Sequence, residues 1–345
     1  MFHNHSPLRL SVVAIATITI LSIGNSSSLA HVVTYRGPIH EQVTLAAVNF
    51  SPKTAEQIKR AVTANDSGST HDMSEAHCDN ADYLPSKYYG NKVYPRTRKQ
   101  ATENLQACAQ FAFTQFKNAV KAADGLVDGS GKPYQDQVRT KECKYDLGTG
   151  GQKKCVVLEG LGRWWHVVED FYAHSNYADK AAPGQSLGFD NVPGLALKAP
   201  APFFNMKEFY AHGNELADLD QFGKMVPDEL TTGCFHNESD AQHKQKDNND
   251  CVRHSDHPGV APRVTHQDDC TDSYCGNGIG LSKDDTWRRR SMVEFASGTT
   301  NYDQVIGQVT DEVRQQWGYF KQVLATEYGS MRADAMIKAI TNDFS

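Results

Sequence analysis

The chain has 345 residues, 39% of them apolar, and a formal net charge of −6 at pH 7. That apolar content excludes a disordered chain, and the mild acidity argues against a duplex DNA binder, which needs a basic face. No run beyond the N-terminus approaches the roughly 20 apolar residues that span a bilayer, so no transmembrane segment is expected.

Residues 1–30 read as a secretory signal peptide. Arg9 is their only charge, residues 10–23 form an apolar run, and Ser28-Leu29-Ala30 supplies the small residues of a cleavage site. Cleavage after Ala30 would leave a mature chain starting at His31, one unit more negative, in a secreted or periplasmic setting. A single domain is expected over residues 31–345.

Helical signals dominate the remainder. Residues 39–49 carry apolar side chains at 39, 43, 46 and 47, a helical spacing. Ser51-Pro52 supplies an N-cap and a first-turn proline for a second helix to about residue 64. Residues 66–96 are rich in Gly, Ser, Asp, Tyr and Pro and read as a long loop. Residues 97–123 form an amphipathic helix with Ala101, Leu105, Ala109, Ala112, Phe113, Phe116 and Val120 on one stripe. Residues 124–153 are turn-rich. The next helix is predicted over 156–177, and another over 205–220 after a Pro- and Gly-rich stretch. Residues 231–285 are polar, with five histidines and four cysteines, and need cross-links or metal to be ordered. The last sixty residues return to helix, the longest piece over 302–328. The fold class expected is all-α, with long disulfide-stapled loops.

All eight cysteines follow residue 30, at positions 78, 108, 143, 155, 234, 251, 270 and 275. An even count in a secreted chain reads as disulfides, with a Cys-rich zinc site as the alternative. Cys143 with Cys155 and Cys270 with Cys275 are the pairs expected from proximity. Asn49-Phe50-Ser51, Asn65-Asp66-Ser67 and Asn237-Glu238-Ser239 are glycosylation sequons if the source is a eukaryote.

The chemistry concentrates in residues 158–179, LEGLGRWWHVVEDFYAHSNYAD. His166, Asp170 and His174 are spaced i, i+4, i+8 and share one helix face. Neighbours at this spacing have Cβ atoms roughly 5–6 Å apart, close enough to hold an ion together. His166 and His174 lie roughly 12 Å apart along the axis, so the row suits more than one metal, with Asp170 serving two ions. The opposite face, Val157, Leu161, Trp164, Val168 and Phe171, should be core. The alternative is that the polar row is a solvated outer face or a buried His–Asp pair.

The run LGRWWHVVEDFYAHSNYAD resembles the Het-C family of secreted proteins, whose hallmark resembles LG..LH.VEDF.AHSN. Gly37-Pro38-Ile39-His40-Glu41, His77-Cys78-Asp79-Asn80, Cys251-Val252-Arg253-His254 and Gly280-Leu281-Ser282-Lys283-Asp284 look similar to further family features. Het-C proteins in turn resemble the zinc-dependent phospholipase C and single-strand nuclease superfamily, which is all-helical and holds three zinc ions. The resemblance implies Zn2+ ligands at His40, Asp79, His166, Asp170 and His174, with His77 and His254 as further candidates. It implies a zinc contact from the backbone of residue 31. It also implies that Asp79 orients the attacking water. Glu169 and Asn176 are candidates for fixing histidine tautomers. The chain departs from the superfamily in an Asp-to-His gap of four rather than six. It also lacks the HxxxE of the last site, where His212 with Glu215, or His254, stand in.

The function expected is a secreted zinc-dependent hydrolase of phosphoesters, with two or three ions and a phospholipid or other phosphodiester as substrate. Zinc lowers the pKa of bound water toward 7 and polarises phosphoryl oxygens. The alternative is a non-catalytic recognition, incompatibility or toxin-like protein with a structural metal.

Overall fold

The described residues of the computed structural model include eight α-helices and several single 3-10 turns, with isolated β-bridges and no strand among them. Those residues are 39–344 apart from 142, 148–150, 190, 214, 235–258, 267–279, 282 and 284–298. The chain is therefore all-α, as its periodicity predicts. Residues 1–38 lie outside the described residues. His31, His254, Asn237, Cys270 and Cys275 are also outside them.

The helices start where local chemistry supports them. Ile39–Ala47 (α1) and Pro52–Val62 (α2) match the two predicted N-terminal helices. Pro52 sits at the start of α2, but Ser51 makes no side-chain cap. The orphan amides of Lys53 and Thr54 are taken instead by the Asp343 carboxylate, at 3.0 and 2.8 Å. Arg98–Ala123 (α3) opens on a capping box, Thr97 with Gln100, and Asn301–Tyr328 (α7) on another, Thr300 with Asp303. Ser330–Thr341 (α8) closes the chain.

The single helix predicted over 205–220 is two short ones, Met206–Ala211 (α5) and Leu219–Met225 (α6). Gly213, with φ +82°, interrupts the pattern, and Asp218 caps α6 by accepting the Gln221 amide at 2.9 Å.

Lys153–His174 (α4) packs against α2, α3 and α7, and residues 157–174 are all buried. The polar row of α4 is therefore not a solvated face. Two glycines permit the close packing. A Cβ on Gly162 would fall 2.4 Å from the backbone of Ala61 in α2, and one on Gly160 would fall 2.7 Å from the Gln115 oxygen in α3. Trp164 and Trp165 fill the core around this helix, Trp164 edge-on to Phe116 and Trp165 edge-on to Trp317.

Disulfides staple the loops. Cys143–Cys155 forms as expected. Cys78–Cys108 ties the 66–96 loop to α3, a pairing that proximity in sequence does not suggest. Cys234 is also disulfide-bonded, and no free cysteine occurs among the described residues. Asn65 is fully buried, and its side chain bonds the Ala76 and Arg163 carbonyls and the Arg163 guanidinium. Its sequon cannot carry a glycan in this fold, whereas Asn49 is exposed.

Candidate metal centre

Asp170 is the hub of the site. Its carboxylate is buried in the middle of α4 and faces four imidazoles. His166 Nε2 lies 2.8 Å and His77 Nδ1 2.9 Å from Oδ2, while His40 Nε2 lies 3.3 Å and His174 Nε2 3.7 Å from Oδ1. The charge of these neighbours, His166 first, outweighs the burial that disfavours ionisation and holds Asp170 well below the usual carboxylate range.

Each histidine is fixed by a second contact. The backbone carbonyl of Val62, at the end of α2, takes His166 Nδ1 at 2.8 Å, which turns Nε2 toward Asp170. His40, in the first turn of α1, pairs through Nδ1 with Glu169 Oε2 at 2.8 Å, and Thr44 donates to the other oxygen at 2.9 Å. Burial disfavours charge on His40, yet Asp170 and the bond to Glu169 prevail and push it up to about 10. His77 is raised in the same way, against its burial, by its bond to Asp170. His166 is lowered, because burial dominates there.

Among the described residues, three groups of nitrogen and oxygen donors lie close enough to share an ion: His40, His166 and Asp170; Asp66, His77 and His166; and Asp79, His174 and His266. Within each, the ligand atoms all fall within 4.8 Å of one another. The first two share His166 and form one continuous cluster. Ligand atoms around a tetrahedral zinc are roughly 3.3 Å apart, given bonds of about 2.0–2.1 Å. The separations of 2.8 to 3.5 Å among His166, His77, Asp170 and Asp66 bracket this value. His77 Nε2 and Asp79 Oδ1 are buried without a hydrogen bond, and buried polar atoms in that condition suit a cation. Imidazole and carboxylate donors at these separations could hold a divalent metal ion.

Among the residues singled out from sequence, His40, His77, Asp79, His166, Asp170 and His174 all reach this region. Asn176 does not touch a ligand histidine. Its side chain holds the backbone at Pro193, Glu229 and Thr231, and so shapes the loop beside the site. His212 is exposed and pairs with Glu208 at 3.4 Å, and Glu215 is exposed, so neither is part of the site.

Two donors escape the sequence pattern. Asp66 lies in a 3-10 turn after α2, with an oxygen 3.5 Å from His166 Nε2. Arg163 fixes that turn by donating to Ala64 O, Asn65 Oδ1 and Thr70 Oγ1 at 3.1, 2.9 and 3.0 Å. His266 is buried, its ring centroid 3.9 Å from that of His174. Gly233 makes that approach possible, because a Cβ there would fall 2.4 Å from His266 Cα. The only cue to Asp66 is its place eleven residues before His77, and His266 stands in a histidine-rich stretch without periodicity.

No match emerges when the chain is compared with protein-family models, curated proteins and solved structures.

Proposed function

We propose that this chain is a secreted, zinc-dependent hydrolase acting on phosphoester bonds. The observation that carries this reading is the buried Asp170 facing His40, His77, His166 and His174. Structural zinc sites close with four protein ligands around one ion. A carboxylate with histidines on both oxygens suits a bridge between ions, the arrangement that clamps a phosphoryl displacement. The resemblance of residues 158–179 to Het-C proteins, and through them to zinc-dependent phospholipases, is a second support.

His40, His166, Asp170, His77 and Asp66 would hold one part of the cluster, and Asp79, His174 and His266 the other. Zinc bound there supplies Lewis acidity toward a phosphoryl oxygen and makes water acidic enough to attack near neutral pH. The chain's own groups do the rest. Glu169 holds His40 in place through Nδ1, and Val62 does so for His166. Asp66, its side chain 47% exposed beside His166, is better placed than the buried Asp79 to orient water and accept its proton. A small, mainly apolar cleft lined by Ile39, Val43, Val305, Ile306 and Val309, with Lys283, borders His40 and Glu169.

The test is hydrolysis of bis(p-nitrophenyl) phosphate and of phosphatidylcholine vesicles by zinc-loaded protein, before and after chelation. Chelator-sensitive turnover, reduced about 10²-fold or more in Asp66→Asn, is expected. Turnover that survives chelation would contradict the reading.

A second reading keeps the metal but not the catalysis. Asp79, His174 and His266 are all at most 8% exposed, which suits an ion that braces loops in a recognition or toxin-like protein. Firm binding of a single ion without turnover would favour it.

A further inference from the structure

His266 reaches the site from residues 259–266, a segment without helix or strand of its own. Its hold on the fold is lateral. The His266 amide donates to Cys234 O at 2.9 Å, and the Cys234 amide donates to Val264 O at 2.9 Å. One step further along, a charged clamp takes over. Arg263 Nε donates to Asp82 Oδ2 at 2.9 Å and Nη2 donates to Oδ1 at 2.6 Å, a two-pronged pair. The Tyr94 hydroxyl donates to Asp82 Oδ2 at 2.8 Å and accepts the Val264 amide at 2.9 Å. Asp82, Tyr94 and Arg263 are all buried.

The spacing gives this clamp its meaning. Asp82 lies three residues after Asp79, and Arg263 lies three residues before His266. The ion pair therefore joins, beside the backbone bonds of Val93 to Gly259 and Ala261, the two loop segments that bring Asp79 and His266 to the end of α4. A buried ion pair is poor value as pure stabilisation, since well-packed apolar residues often do as well, so its use in fixing one register is the more economical role. We propose that the Asp82–Arg263 pair, locked by Tyr94, is the positioning device that brings His266 onto Asp79 and His174 and makes that group able to take a divalent cation. The metal part of this proposal rests on the metal reading above, and the positioning of His266 does not.

The experiment uses the full chain in two measurements. Zinc per chain is determined by elemental mass spectrometry after loading and dialysis. Amide hydrogen exchange over residues 259–266 is followed in zinc-free protein. Arg263→Met is preferred to Asp82→Asn, because Arg96 Nε also faces Asp82 at 3.3 Å and would lose its counter-charge. Arg263→Met should lose about one zinc equivalent and exchange the 264–266 amides about tenfold faster or more. Tyr94→Phe should move both readings less, in the same direction, and it carries the test if Arg263→Met does not fold. Arg263→Lys, which keeps the charge without the fork, should recover part of both. Arg163→Met, at the other anchoring arginine, should leave exchange at 264–266 as in the wild type. If the wild type takes no zinc but Arg263→Met still speeds that exchange, the clamp stands and the metal reading falls. If the wild type takes zinc and Arg263→Met binds as much, or if Arg263→Met exchanges no faster, the proposal is overturned.

Discussion

Asp170 illustrates what a single buried charge asks of its surroundings. Its position in α4 leaves it no water, so four imidazoles and any bound ion must compensate it. Asp170→Asn keeps the shape and removes the charge. It should lower both the bound metal and the melting temperature, since breaking a buried charge network costs roughly 3–5 kcal/mol. Elemental analysis beside calorimetry checks this, and no change in either would remove the cluster. Glu312 in α7 makes a different case, because no imidazole among the described residues pairs with it. Burial pushes it up to about 7, while the Tyr172 hydroxyl and the Ala201 amide bond its Oε2 at 2.9 and 2.8 Å. The folded chain thus keeps a proton that the unfolded chain releases near 4.5. Stability from this group is fully present below about 4.5 and falls by about 3 kcal/mol as pH rises to about 7. In urea titrations across that range, the stability of the wild type relative to Glu312→Gln should decline with pH. A pH-independent difference would show that Glu312 is not held protonated.

At the scale of elements, the glycines of α4 decide how closely the ligand-bearing helix approaches its neighbours. Gly162→Ala forces a methyl group against Ala61 and Val62, the residue whose carbonyl fixes His166. Overpacking of this kind costs typically 1–3 kcal/mol, which exceeds the gain in helix propensity of about 1 kcal/mol. Chemical denaturation should therefore find the variant less stable, and a variant at least as stable as the wild type would refute the close contact. Most helices were legible in the sequence, because apolar periodicity and the first-turn proline Pro52 are local signals. The row His166, Asp170, His174 was legible for the same reason. Its burial was not, since an i, i+4 polar row looks alike whether it faces water or a neighbouring helix. Asp66 and His266 were not legible either, because tertiary contacts bring them in: Arg163 for one, Gly233 and the Cys234 backbone for the other. The break between α5 and α6 turned on Gly213, whose positive φ the surrounding polar pattern does not announce.

Across the whole molecule, long loops supply half of the site, so cross-links matter as much as the helical core. Cys78–Cys108 closes a loop over a separation of 30 residues immediately beside Asp79. Chain-entropy reasoning gives about 3.5 kcal/mol for a loop of that size. The double variant Cys78→Ala/Cys108→Ala should lose stability on that scale and bind less metal, which denaturation and elemental analysis would report. Undiminished stability would mean that the core alone orders this loop. No helix among the described residues is long and apolar enough to cross a membrane. The most direct test of the metal centre is the zinc content of the purified protein beside that of His166→Ala. Two or three zinc ions per chain, with loss from the cluster in the variant, is the expected result. A wild-type chain that takes no zinc, or an equal content in both proteins, would contradict it.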